Sequence, residues 1–279
     1  MGDEPAGNAG IEDALRPFAP GSPVAIEAGQ TRLEITPAAG GRIARLTHAG
    51  VDWLIGHHAT RAAMIAWGSF PMVPWAGRVR RSGFRFEGRE YRLPANLGAH
   101  AIHGVGFALP WRVDAHAPDH VELSLALPAD NRWPFGGIAR QCIEVGDRQV
   151  SMQLSVTAGD RAMPATIGWH PWFRKPDRID FSPRAIYPRD DDGIAVPPAI
   201  APTPGPWDDC FVNEDAVVLH LAGQALHLTS DCDHWVVYDE TAHATCVEPQ
   251  SGPPDALNLQ PQVLAPGQTL GRWFRLAWA

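Results

Sequence analysis

The 279-residue chain carries 31 acidic against 23 basic side chains, a net charge of −8, with 45% hydrophobic residues and 54 glycines and prolines together. Those figures suit a packed globular core and argue against bulk disorder. The acidic balance makes a poor partner for nucleic acid, and no apolar run nears the roughly 18 residues of a membrane span.

The N-terminal stretch MGDEPAGNAGIEDALRPFAPG is acidic where a secretory leader is basic and then apolar, so a cytoplasmic location is expected. Residues 1–23 read as a loosely ordered arm, with one short helix expected over 11–18. Residues 24–279 read as a single domain. Phe84–Phe86 and Tyr91–Leu93, joined through Glu87-Gly88, predict a hairpin. Over 120–127 the apolar residues fall on odd positions, and over 150–157 on even ones. That period of two marks strands buried on one face. A turn at Gly146-Asp147 joins Ile143–Val145 to the second of these, and Gly223 joins 217–221 to 226–228. Prolines interrupt the chain too often for long helices. The expected fold is all-β, a large antiparallel sandwich with few short helices, and 188–206, with six prolines, is expected as a long loop beside a binding site.

Four cysteines, Cys142, Cys210, Cys232 and Cys246, lie too far apart for a CxxC pair and read as reduced core thiols. No phosphate-binding glycine loop follows a strand, and no Gly-x-Ser-x-Gly elbow is present. Lys175, the only lysine, sits beside Pro176 and is a poor Schiff-base candidate.

Histidine, arginine and carboxylate remain. His170 lies among aromatics in Gly168-Trp169-His170-Pro171-Trp172-Phe173, either as a core imidazole bonded to a carbonyl or as a proton carrier. Glu248 closes an apolar run and precedes Pro249-Gln250-Ser251-Gly252-Pro253-Pro254, which suits a carboxylate partly out of water at a sheet mouth. A solvated loop acid is its alternative. Arg78, flanked by apolar residues, is expected to turn inward, while Arg80, Arg81, Arg85 and Arg89 read as a solvated hairpin face. His100 and His103 could ligate a metal together with Glu248, but on a strand a spacing of three sends the two rings to opposite faces.

In this order, Gly40–Leu46, Pro74–Arg78, Phe84–Pro94, Ala101–Gly104, Gly168–Phe173, Trp207–Phe211 and Val247–Ala256 resemble the aldose 1-epimerase (mutarotase) family over roughly 25–278. The resemblance implies a β-sandwich with a cleft on one sheet. It also implies Glu248 as general base, His170 as general acid, Arg78 and His103 as sugar contacts, and Asp208 as the acid that binds hydroxyls, with Asp209 one position away. It implies no cofactor and no metal, a small sugar as substrate, neither nucleic acid nor membrane as partner, and a monomer or homodimer. The chain departs from the common pattern at Gly77, where the family usually has Asn, and at Val105, where it usually has a second Gly. Two other readings keep the same fold: a hexose-phosphate 1-epimerase using the arginines after Arg78, and a carbohydrate-binding protein without catalysis.

Overall fold

The computed structural model describes residues 13–279. Two antiparallel sheets face each other. The ten-stranded sheet runs Val24–Ala28, Thr31–Thr36, Arg42–His48, Ser69–Met72, Gly168–Arg174, Ala244–Gln250, His234–Tyr238, Asp208–Val212 and Ala185–Ile186, with Val51–Asp52 joined to the third strand. The eight-stranded sheet runs Arg112–Ala117, His120–Ala126, Ile138–Gly146, Gln149–Thr157, Thr269–Trp278, Gln224–Ser230, Val217–Leu221 and Arg178–Asp180.

Alternation fills the space between them. In Gln149–Thr157 the side chains of Val150, Met152, Leu154 and Val156 are all at most 2% exposed, while the residues between them face outward. Trp169 and Trp235 of the ten-stranded sheet meet Phe274 of the other at 5.8 and 6.0 Å between ring centres. Each such side chain stabilises the fold by about 1.5–3 kcal/mol on burial, so the interleaved rows fix both register and layer spacing.

The expected hairpins form. Phe84 pairs Tyr91 and Phe86 pairs Arg89, and both turn residues, Glu87 and Gly88, have positive φ, as a two-residue primed turn requires. Val150 likewise pairs Val145, and Leu226 pairs Leu219. Helix is confined to Ala256–Leu259 and two 3-10 turns among the described residues. All four cysteines are free, three of them buried.

Two expectations about the N-terminus need correction. The short helix over 11–18 does not form in its described part, where Asp13–Phe18 is turn and isolated bridge. Nor is that part of the arm loose: Ala14 is fully buried against Met64 and Phe70, and its N–H donates to Asn96 O at 2.9 Å. Too few apolar residues recur at helical spacing here, so the backbone bonds to neighbouring loops instead. The rest of the arm, 1–12, lies outside the described residues.

Candidate active site

The strands Gly168–Arg174, Ala244–Gln250, His234–Tyr238 and Asp208–Val212 lie side by side, and period two divides their residues. Trp169, Val247, Trp235 and Phe211 point into the core. The alternate set, His170, Trp172, Glu248, Gln250, Val236, Tyr238, Asp208 and Cys210, faces a cleft of about 330 Å³ on the outer side of the sheet. Its walls come from loops, with Arg78 on one side and Arg189, Gly193 and Ala195 of the proline-rich 188–206 segment on another.

Register brings the acid and base candidates together. Gly168 pairs Gln250 and Trp172 pairs Cys246, which sets His170 opposite Glu248. Pro171 and Pro249 have no N–H for the ladder, and the regular pairing lapses between those two rungs. His170 Nε2 lies 3.2 Å from Glu248 Oε1. Both are buried, at 6% and 2% exposure, and the second carboxylate oxygen accepts from Gln250 Nε2 at 3.1 Å. The alternative of Glu248 as a solvated loop acid is therefore excluded.

Burial governs their protonation. It holds the Glu248 carboxyl well above the usual carboxylate range, helped by the nearby charge of Asp208 and opposed by Gln250 and Arg78. Burial, with the guanidinium of Arg42, pulls His170 down to about 3. Both shifts favour the uncharged forms, a protonated carboxyl beside a neutral imidazole, and at this distance the two titrate as a pair.

His170 is held in a column of rings. Phe70 stacks on it at 4.6 Å and Trp172 at 5.5 Å, and His103 meets it edge-on at 4.9 Å. Behind Phe70 lies Arg42, fully buried, with its guanidinium 5.0 Å from the Phe70 ring. It donates to the carbonyls of Ala39, Met64, Trp67 and Phe107. Desolvation brings this cation's pKa down to about 9.

The other expected residues converge too. His103 is buried on the cleft wall, at a positive φ of 60°. Gly104 follows at φ 76°, where a Cβ would lie 2.0 Å from the carbonyl oxygen of Val73, so only glycine fits behind the ring. Arg78 lines the cleft and donates through Nη1 to Gly193 O at 3.1 Å. Gly77 has φ 68°, a left-handed conformation that Gly and Asn adopt most readily. Asp208 accepts from Arg189 Nη1 at 2.5 Å. Burial raises its pKa, while Arg78 and Arg189 pull the other way. Asp209 also lines the cleft, at the end of the strand where alternation no longer separates the two.

The metal and phosphate readings lose their residues, while the solvated reading of Arg81, Arg85 and Arg89 holds. His100 is not in the cleft: its Nδ1 accepts from the Arg81 N–H at 3.0 Å and its Nε2 lies 3.8 Å from Asp192. It does not converge with His103 and Glu248. Arg81, Arg85 and Arg89 are exposed and Arg80 is spent on Asp190 and Asp192, so none of the four lines the cleft. Four carboxylates, Asp208, Asp209, Glu240 and Glu248, face two guanidiniums there, which leaves no surplus of cations for a phosphate.

Sequence reasoning missed Gln250, Tyr238 and Arg189 as cleft residues. Gln250 and Tyr238 were open to a period-two count from Glu248 and across the ladder, whereas Arg189, on an irregular loop, had no such signal. A larger hollow, about 680 Å³, lies on the outer face of the eight-stranded sheet among Glu122, Arg140, Glu144, Gln153 and Trp273. Its charged residues are exposed and it holds no buried acid–base pair, so the smaller cleft is the candidate site.

Comparison with known proteins agrees with this geometry. The profile of the family described as aldose 1-epimerase matches residues 24–277. The uncharacterized protein YphB of Escherichia coli K12 is 35% identical over 108 residues, 37% of this chain and 36% of its own length. YihR of the same organism is 27% identical over 157 residues, 54% of this chain and 50% of its own length. The chain thus spans between about a third and a half of these curated relatives. A galactose mutarotase-like protein from Clostridium acetobutylicum shares the fold, with a TM-score of 0.82 at 16% identity over 92% of this chain and 95% of that one.

Proposed function

The chain belongs to the aldose 1-epimerase family, and we propose that it interconverts the α and β anomers of a free aldose by acid–base ring opening and closure. The observation that carries this reading is the 3.2 Å contact between His170 and Glu248 on the floor of the cleft.

The anomeric hydroxyl and the ring oxygen of a pyranose are bonded to the same carbon. An acid and a base in mutual contact can therefore reach both oxygens of one substrate. Glu248 takes the proton of the anomeric hydroxyl while His170 Nε2 gives a proton to the ring oxygen. The ring C–O bond breaks and an open-chain aldehyde forms. Rotation about C1–C2 turns the other carbonyl face, and the two transfers run backwards. The starting pair, carboxylate with imidazolium, and the pair left after opening, carboxylic acid with imidazole, contain the same number of protons. Burial favours the second, and the opening form is reached by passing the proton across the 3.2 Å contact.

Asp208, Arg78 and His103 are proposed to hold the sugar hydroxyls, with Trp172 offering an apolar face to the ring. A neutral sugar suits the cleft's charge better than a phosphorylated one. The substrate is proposed to be a small free sugar, with no role for nucleic acid or membrane, in a single sandwich domain over 24–279 working as monomer or homodimer. No helix among the described residues is long and apolar enough to cross a membrane, and a cytoplasmic location is part of the same proposal.

Polarimetry on freshly dissolved α-D-glucose and α-D-galactose tests it, with Glu248→Gln and His170→Asn beside the wild type. The expected result is a protein-dependent rate that both variants lose. Equal rates for all three proteins across a panel of hexoses and pentoses would leave a binding protein without chemistry.

A further inference from the structure

Two buried thiols of this sheet have no part in the acid–base scheme: Cys210 lines the cleft floor, and Cys246, fully buried, lies two residues before Glu248 on its strand. They differ in what they face. The Sγ of Cys246 and the nearest donor atoms of His170 and Glu248 all lie within 4.8 Å of one another, the one such trio of potential metal ligands among the described residues. All three side chains are buried.

We propose that this trio binds a zinc ion through Glu248 carboxylate, His170 Nε2 and Cys246 Sγ, with the fourth position open to the cleft, and that occupancy blocks sugar turnover. The donor set selects the metal. Thiolate, imidazole and carboxylate together suit a borderline-soft tetrahedral cation, whereas magnesium and calcium take oxygen ligands. Three protein ligands with one open position is a stable coordination for zinc. Ligand atoms around a tetrahedral zinc stand about 3.3–3.8 Å apart, so His170 and Glu248 already have that spacing at 3.2 Å and Cys246 Sγ closes by at most about 1 Å on binding. The cleft supplies the access route.

Charge and protons balance. Zinc brings two positive charges, and thiolate and carboxylate cancel them, which leaves the buried floor neutral. The ligating forms are thiolate, neutral imidazole and carboxylate, so any proton these groups hold leaves to solvent as zinc binds. Zinc-bound histidine usually donates its other N–H to a partner, but His170 Nδ1 is buried with none. Missing support of that kind weakens a site by about 10–100-fold. The result is reversible binding, suited to inhibition rather than to a permanent structural role.

Binding stands on the trio alone, while the inhibition rests on the proposed acid–base reading. The test is calorimetric titration of the full chain with zinc chloride, for wild type, Cys246→Ser, Cys246→Ala and Cys210→Ser, each checked by thermal melting. The expected result is one zinc per wild-type chain, at least about 10-fold weaker binding in both Cys246 variants, and little change in Cys210→Ser. Cobalt should give a thiolate charge-transfer band that the Cys246 variants lack. In the mutarotation assay zinc should stop the wild type over the same concentration range and leave the rate of Cys246→Ser at that variant's own zinc-free value. No binding by wild type at submillimolar zinc, or binding that ignores the Cys246 substitutions, overturns the site. Zinc bound as described while the wild type turns over at full rate overturns the inhibition. Absence of mutarotation without zinc overturns the proposed function but leaves the calorimetry to decide the site.

Discussion

His170 Nε2 and Glu248 Oε1, 78 positions apart in the chain, meet at 3.2 Å because adjacent strands place them on one rung. The contact makes them one titrating unit rather than two independent groups. Substituting either member should therefore cost nearly as much as substituting both. Glu248→Gln and His170→Asn are each expected to lower kcat by about 10²–10⁴-fold, and the double variant to fall well short of the product of the two losses. Single-sugar progress curves on the three proteins give the comparison.

Burial and the Arg42 guanidinium take His170 down to about 3, clear of the neutral range. The rate should show no inflection near the ordinary imidazole pKa of about 6.5. Rates between about pH 5 and 8, extrapolated to zero buffer, should show no step at that value. A step near the ordinary value would place His170 in contact with bulk water.

The opposite shift of Glu248 has a sign in stability. Glu248 has a folded pKa raised above its unfolded one, so above the unfolded value the native state holds a proton that the unfolded chain has lost. Its contribution to stability falls as pH rises until the folded pKa is passed. Glu248→Gln removes that loss. Relative to wild type the variant should gain stability on going from about pH 5 to 8, by at most about 1.4 kcal/mol per unit. Urea denaturation at several pH values gives the difference, and a constant or shrinking gap contradicts it.

Asp208 and Arg78 are proposed to hold substrate rather than to move protons. Asp208→Asn and Arg78→Met should raise KM by about 10-fold or more and leave kcat within a few-fold, as the loss of a charged hydrogen bond predicts. A fall in kcat at constant KM would instead give these residues a role in the transition state.

Arg42 touches no part of the cleft, yet four backbone carbonyls depend on it. Arg42→Met strands those acceptors in the core, where each unsatisfied group costs about 1–3 kcal/mol. A loss of at least about 3 kcal/mol, lowering Tm by about 10 °C, is expected. Arg42→Lys, which keeps the charge but not the planar fork, should recover only part of it.

The sandwich was legible in the sequence because alternation is a local property: 150–157 shows its buried face without reference to any partner. The proposed acid and base stood out one at a time, through Trp-His-Pro and Val-Glu-Pro, and the family resemblance joined them. Their contact was not, since it depends on a register set by strands distant in sequence. Cys246 shows the same limit. Alone it reads as a core thiol, and only the ladder sets its sulfur beside an imidazole and a carboxylate. The N-terminal segment was not legible for a related reason: Ala14 has no periodic pattern around it, and it is held by Met64, Phe70 and Asn96, all distant in sequence.

Arg189 both neutralises Asp208 and ties the proline-rich wall to the sheet. Swinging that wall outward would strand a partly buried carboxylate, so opening would carry an electrostatic penalty. Salt would ease that penalty, and outward motion of the wall is expected to become easier as ionic strength rises, the reverse of what charge-steered capture produces.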